Sequence, residues 1–261
     1  MWHELRLFFV ALQFLTRVPV PAWVGWRDDW MQQSARHFPT VGLLVGGFGA
    51  AVLWSAAHLW PAAVAVGLSM AATVWLTGAF HEDGLADTCD ALGGAVTRER
   101  ALEIMKDSRL GTYGTVGLVA VLGLKAAALL ALAQRDFALV LLALPLAHAW
   151  SRLAPVLLLR LLPYGGDAAQ AKAKPMATQA SDGALAGAAL VALLAGGAAV
   201  ALGVDPLHAL VALLAAGAVA LAMARWLRVR LGGYTGDTLG ATQQGAELAI
   251  YLALLAARTH A

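Results

Sequence analysis

Charge is scarce in this chain. Only 13% of its 261 residues are Asp, Glu, Lys or Arg, about half the ~25% of an ordinary soluble domain. With 60% hydrophobic residues and a mean hydropathy of +0.71, this shortage excludes a water-soluble globular protein. Cysteine is nearly absent. The one thiol, Cys89, excludes an internal disulfide, and its surroundings suggest a small buried residue rather than a nucleophile. A small-x-small cleavage site is also lacking between the short apolar run Leu7 to Leu15 and Arg17, so the N-terminus does not read as a cleaved signal peptide. No internal repeat and no low-complexity linker divides the chain. Residues 1–261 therefore read as one membrane-embedded domain, with 1–40 an interfacial N-terminal segment.

The apolar residues are gathered into runs long enough to cross a bilayer, which takes ~20 residues each. Six strong runs cover about Val41–Trp60, Pro61–Phe80, Thr115–Ala133, Phe137–Leu162, Ala184–Gly203 and Leu207–Met223; a weaker seventh covers Ala246–Ala257. The expected fold is all-α: a polytopic helical bundle of about seven transmembrane helices. Gly42, Gly46, Gly47 and Gly49 in the first run are small residues of the kind that let helices approach closely in lipid. Before the runs, Leu5, Phe8, Phe9, Leu12 and Leu15 recur at helical spacing, and Trp23, Trp26 and Trp30 follow. This predicts a short helix at the membrane interface, then an aromatic-rich turn.

The connections are unequal. Pro61, Arg135-Asp136 and Val204-Asp205-Pro206 make short turns, whereas 1–40, 81–114, 163–183 and 224–245 are long. Alternating spans put all four long connections on one side. That side receives thirteen cations: Arg6, Arg17, Arg27, Arg36, Arg98, Arg100, Lys106, Arg109, Lys172, Lys174, Arg225, Arg228 and Arg230. The other receives two, Arg135 and Arg258. The positive-inside rule makes the long polar loops cytoplasmic, as in a multi-pass protein of the cytoplasmic (inner) membrane.

The densest polar stretch follows the uncharged run Pro61 to Phe80: His81-Glu82-Asp83-Gly84-Leu85-Ala86-Asp87-Thr88-Cys89-Asp90. If it is helical, Asp83, Asp87 and Asp90 stand at i, i+4 and i+7, within about 60° of one another. Carboxylates so close need protons, bases or a metal to neutralise them, and a hard divalent cation offers the charge and takes several oxygens. Gly84 suggests a backbone that approaches a ligand. The same loop carries Arg98, Arg100, Lys106 and Arg109, and an acid cluster beside such bases points to a metal that binds phosphates. Gly111 and Gly114 would free the backbone to curl around that ligand. A third polar loop, Gly232 to Glu247, offers Thr235 or Asp237 as the cap of a following helix, its amides aimed at an anion. Within the spans, Lys125 lies mid-helix and His148 and Arg152 are spaced i, i+4. Charges in a bilayer are costly, so they are expected to face the bundle interior.

These residues resemble a known family. The run Phe80 to Asp90, followed by Leu102-Glu103-Ile104-Met105-Lys106-Asp107-Ser108-Arg109-Leu110-Gly111-Thr112-Tyr113-Gly114, is similar to the adenosylcobinamide-GDP ribazoletransferases, also called cobalamin synthases. Phe14 to Pro21, Phe38-Pro39 with Gly42, Ser151-Arg152, and Thr235 to Ala241 fit the same pattern, so nearly the whole chain is covered. Glu82 stands where that pattern has an apolar residue and is left out of the metal set. The resemblance implies that a hydroxyl of α-ribazole, or of its 5′-phosphate, attacks the cobinamide-linked phosphate of adenosylcobinamide-GDP, with GMP leaving. It implies Mg2+ held by Asp83, Asp87 and Asp90, with Asp237. Arg98, Lys106 and Arg109 would receive the diphosphate, joined at the substrate site by Arg152, Thr235 and Gly236. His81 or Asp107 would orient or deprotonate the hydroxyl. Membrane lipid surrounds such an enzyme, nucleic acid is no partner, and association with itself or with the enzymes that make its substrates is expected.

Two other readings are less consistent with the residues. CDP-alcohol phosphotransferases share the metal, the membrane and the diphosphate, but their D-G is followed by A-R and then G-x3-D-x3-D; here Asp87 follows Ala86 and that tail is missing. A transporter would carry its densest polar residues at mid-membrane, whereas here they lie in loops.

Overall fold

The structure is a computed structural model and describes residues 2–166 and 179–256. Lys172, Lys174 and Arg258, counted above among the cations of the loops, lie outside the described residues. Among the described residues there are eleven α-helices: α1 Trp2–Leu15, α2 Asp28–Ser34, α3 Phe38–Ala57, α4 Ala62–Thr77, α5 Phe80–Leu92, α6 Arg98–Ile104, α7 Thr112–Arg135, α8 Phe137–Leu161, α9 Asp182–Ala201, α10 Pro206–Arg230 and α11 Gly236–Leu255. Among the described residues the only β-type pairing is one isolated bridge, Tyr164 to Tyr234.

The helix starts follow local chemistry. Asp136 accepts the amides of Ala138 and Leu139 at the head of α8, Ser181 caps α9, and Asp205 accepts the amides of Leu207 and His208 at the head of α10. Each satisfies N–H groups that a helix start leaves without partners. The short turns expected at Pro61, Arg135-Asp136 and Val204-Asp205-Pro206 are those that join α3 to α4, α7 to α8 and α9 to α10.

Among the described residues, five helical stretches are long and apolar enough to cross a membrane: Asp29–Ala57, Thr112–Arg135, Phe137–Leu161, Asp182–Ala201 and Pro206–Arg230. The pair α4–α5 makes a sixth if counted as one broken span. The seventh expected run is α11, which begins well before Ala246. Its first twelve residues carry Thr238, Thr242, Gln243, Gln244 and Glu247, all buried, so burial rather than apolarity keeps it in the bundle.

The run Pro61–Phe80 is not one straight helix. Gly78 and Ala79 both take left-handed backbone angles (φ 70° and 58°), and α5 leaves α4 at 88°. For Ala79 that conformation costs roughly 1–2 kcal/mol, which the packing of α5 must offset. Apolar composition alone gives no sign of such a bend.

Glycines set the closest helix contacts. At Gly46 a Cβ would lie 2.5 Å from backbone atoms of Leu144 and Pro145, and Gly42 meets the backbone of His148 and Ala149 in the same way. Thus α3 lies directly on α8, as the small-residue pattern suggested. At the N-terminus, α1 buries Leu7, Val10, Ala11, Leu12 and Leu15, while Trp2, Trp23 and Trp26 remain exposed. That arrangement suits a segment lying along an interface.

The described parts of the long connections converge on one end of the bundle. The amide of Arg17 donates to Leu76 O (2.8 Å) beside the α4–α5 bend. Arg98 donates to Leu231 O (2.8 Å) and Gly165 O (2.6 Å), and Arg230 to Gly94 O (2.9 Å). Segments far apart in sequence are thereby tied together around α5.

Candidate active site on the bent helix

Because α5 is helical from Phe80 to Leu92, its three aspartates do share one face. Asp83 is exposed, and Asp87 and Asp90 are half-buried. Gly84 faces elsewhere, onto the start of α11. A Cβ there would lie 2.6 Å from the carbonyl oxygen of Asp237 and 3.1 Å from its Cα. The glycine therefore clears room for a neighbouring helix, not for a ligand. The consequence for the site is direct: the backbone of Asp237 lies against the turn of α5 that carries Asp83.

Asp90 has a task of its own. Its Oδ2 accepts the amide of Gly111 (2.8 Å) and its Oδ1 the amide of Gly114 (2.8 Å). Any side chain at either glycine would run into that carboxylate. Gly111 and Gly114 thus serve Asp90, which caps the otherwise uncapped start of α7. Among the described residues no three His, Cys, Asp or Glu side chains are gathered into a ready metal shell. The outer face offers Asp83 and Asp87, with the backbone of Asp237 alongside.

The cations assigned to the diphosphate are placed differently from one another. Arg98 is engaged with the two carbonyls named above and holds α6 to the rest of the loop end. Arg109, 86% exposed, lies fork-to-fork on Asp107 (Nη2 to Oδ2 2.5 Å, Nε to Oδ1 2.9 Å). The guanidinium holds the Asp107 carboxyl down at about 2, which makes it a poor proton acceptor near neutrality. Lys106 is exposed on the same loop. Thr235 caps α11 in a reciprocal pair with Thr238, so it, and not Asp237, is the cap. Gly236 is exposed with open space around it, leaving the head of α11 accessible beside Asp237.

His81 and Arg152 lie on the other side of α5, in the core. His81, Glu82, Lys125, His148, Arg152 and Glu247 are all buried and line one small cavity. Lys125 Nζ lies 3.1 Å from Glu247 Oε1 and donates to Gln244 Oε1 (2.8 Å). Gln244 in turn donates to Glu82 Oε1 (2.9 Å), and Gln243 to Glu247 Oε2 (2.8 Å). Arg152 donates to the carbonyl of His148 (3.0 Å), one turn back on α8. Lys125 and Arg152 face the bundle interior, as their cost in lipid requires.

Residues 7–255 match the family model of cobalamin-5-phosphate synthase. The chain belongs to that family. An adenosylcobinamide-GDP ribazoletransferase of Leptothrix cholodnii is 65% identical over 254 residues, covering 97% of this chain and 96% of the relative. One from Shewanella piezotolerans is 45% identical over 253 residues, with 97% and 96% covered. No solved structure matches the chain.

In this synthase-family chain, sequence reasoning missed Glu82, Gln243, Gln244 and Glu247. A signal was present. Lys125 and Arg152 in the spans demand acids, and Glu247, opening the seventh run, is spaced i, i+4 from Gln243 on a face it shares with other polar residues.

Proposed function

We propose that the chain joins adenosylcobinamide-GDP to α-ribazole, or to its 5′-phosphate, releasing GMP and giving adenosylcobalamin or its 5′-phosphate. The observation that carries this reading is the whole-length likeness to a ribazoletransferase at 65% identity. The site suits the chemistry. A hydroxyl oxygen attacks the cobinamide-linked phosphorus, the bond to the GMP phosphate breaks, and GMP leaves with that electron pair while the hydroxyl loses its proton. Such transfers depend on positioning and charge neutralisation more than on covalent catalysis.

The fit to magnesium rests on the donor set: hard carboxylate oxygens on the outer face of α5, with Asp237 brought alongside by the Gly84 contact. Asp83, Asp87 and Asp237 would hold Mg2+, which when bound supplies charge neutralisation at the diphosphate. Asp90 braces the head of α7 beside them. Arg109, fixed by Asp107, and Lys106 meet phosphate oxygens, and the amides at Gly236 add neutral donors. Arg98 holds the loop end closed around this face. His81 points into the core, so the proton acceptor is not drawn from it. The loop end faces the cytoplasm, from which both substrates arrive.

The test is GMP release by purified protein supplied with both substrates. Release that requires both substrates and magnesium is expected, and stops with EDTA. Absence of release, or release without magnesium, contradicts the reaction or the metal respectively. A reporter inserted after Val96 that is active only outside the cytoplasm contradicts the orientation.

A further inference from the structure

Glu82 is one residue from Asp83 yet lies 9% exposed in the core, and nothing in the proposed reaction uses it. We infer that Glu82 is a positioning residue: its hydrogen bond to Gln244 sets the rotation of α5 about its own axis, and so the placement of Asp83 and Asp87. The inference rests on the metal reading above.

Gly78 and Ala79 break the helix with two left-handed residues, and no side chain caps the start of α5. The direction of α5 is fixed by the bend and by the contact of Gly84 with Asp237, and its far end is held by Asp90 on the amides of Gly111 and Gly114; the turn beside the bend, which carries Asp83, needs a lateral stop of its own. Glu82 provides one. Its Oε1 accepts from Gln244 Nε2 at 2.9 Å. That amide is itself immobile, because it also donates to Gln243 Oε1 (3.0 Å) and its oxygen accepts from Lys125 (2.8 Å). Lys125 is in turn held by Glu247 at 3.1 Å. Glu82 thus meets a donor anchored on α7 and α11 together.

The second oxygen of Glu82 and the Nε of Arg152 have no partner among the described residues, and both residues line the cavity. Its water-accessible space is about 20 Å³, enough for one water.

The leverage is large. Side-chain tips stand about 6 Å from a helix axis, so a rotation of about 20° moves a carboxylate by roughly 2 Å. That is the length of a whole Mg–O bond, ~2.0–2.1 Å. Magnesium tolerates little deviation from octahedral placement, so loss of the stop must appear as weaker metal binding.

The experiment titrates Mn2+ into purified protein, followed by electron paramagnetic resonance, with thermal unfolding measured in parallel. Glu82→Leu is expected to remain folded and to bind Mn2+ about 10–100-fold more weakly, as when a group that orients a metal ligand is lost. Glu82→Gln keeps an acceptor for Gln244 but leaves a core cation uncompensated. It should lower the thermal midpoint while keeping wild-type Mn2+ affinity, a split that a merely structural role does not give. Gln244→Leu, which removes the donor and leaves Glu82 in place, should repeat the weakened binding and decides the matter if Glu82→Leu does not fold. Wild-type affinity in folded Glu82→Leu or Gln244→Leu overturns the inference, as does an equal loss in Glu82→Gln. Wild-type protein that releases GMP but takes up no Mn2+ overturns the metal reading itself, and the inference with it.

Discussion

The two faces of α5 carry similar residues in opposite circumstances. On the inner face, Glu82 meets Gln244, and behind it Lys125 lies 3.1 Å from Glu247. Charge there is answered by charge from other helices, and little room remains. On the outer face, Asp83 is exposed and Asp87 half-buried, with the backbone of Asp237 alongside. The difference teaches what a membrane enzyme does with its few charges. Those in the core are balanced within the protein because the surrounding medium cannot screen them. Those on the loop end lie exposed or half-buried, where solvent and an incoming ligand can reach them.

If the outer face holds the metal, Asp83→Asn and Asp87→Asn each remove an anionic ligand at unchanged size. Turnover should fall by about 10³-fold, the upper range for losing one preorganised electrostatic group, with thermal stability near wild type. Activity close to normal at saturating magnesium in both variants removes the distinction between the faces.

The inner face should show the reverse. Glu247→Gln leaves Lys125 buried without its carboxylate, which costs about 3–5 kcal/mol of stability. The double variant Lys125→Met/Glu247→Leu should recover part of that loss, because neither charge is then left alone. Unfolding followed in matched detergent decides this; equal loss in the single and double variants denies the coupling.

Gly84→Ala tests the seam between the faces. A Cβ 2.6 Å from the Asp237 carbonyl must push α11 from α5, and a misplacement of about 1 Å costs on the order of 10²-fold in rate. Stability should fall by about 1–3 kcal/mol through overpacking. A fully active Gly84→Ala enzyme means the two helices need not touch.

The smallest effect concerns Asp107. Arg109 depresses its pKa from the ordinary 3.8 to about 2. A depressed carboxyl stabilises the fold above its unfolded pKa, and that contribution is lost as pH falls toward the folded value. The pair therefore does not titrate between pH 5 and 9, and Asp107→Asn should change activity by the same modest factor at pH 6 and pH 8. A pH–rate limb near neutrality that disappears in this variant would make Asp107 the titrating base after all.

Much of this architecture was legible in the sequence. The apolar runs located the long helices, the i, i+4, i+7 spacing placed three aspartates on one face, and the cost of charge in lipid turned Lys125 and Arg152 inward. Other features were not legible, for identifiable reasons. The bend at Gly78-Ala79 depends on backbone angles that an apolar run does not encode, so α4 and α5 read as a span followed by a loop. The glycines at 84, 111 and 114 looked like room for a ligand, because a sequence shows a missing side chain but not what fills the space. Here Asp237 and Asp90 fill it. Asp90 looked equivalent to Asp83 and Asp87 by spacing, but its two amide partners lie more than twenty residues away. Glu82 was passed over because neighbours on a helix point about 100° apart, so one acid can face the core while the next faces the ligand.

The most direct test is a structure of the protein with magnesium and adenosylcobinamide-GDP bound. The cation should be held by Asp83, Asp87 and Asp237, with the diphosphate between it and the Lys106–Arg109 loop, and the inner cavity still closed around Glu82, Lys125 and Glu247. A diphosphate bound at the inner cavity, or a cation on the opposite end of the bundle, would contradict it.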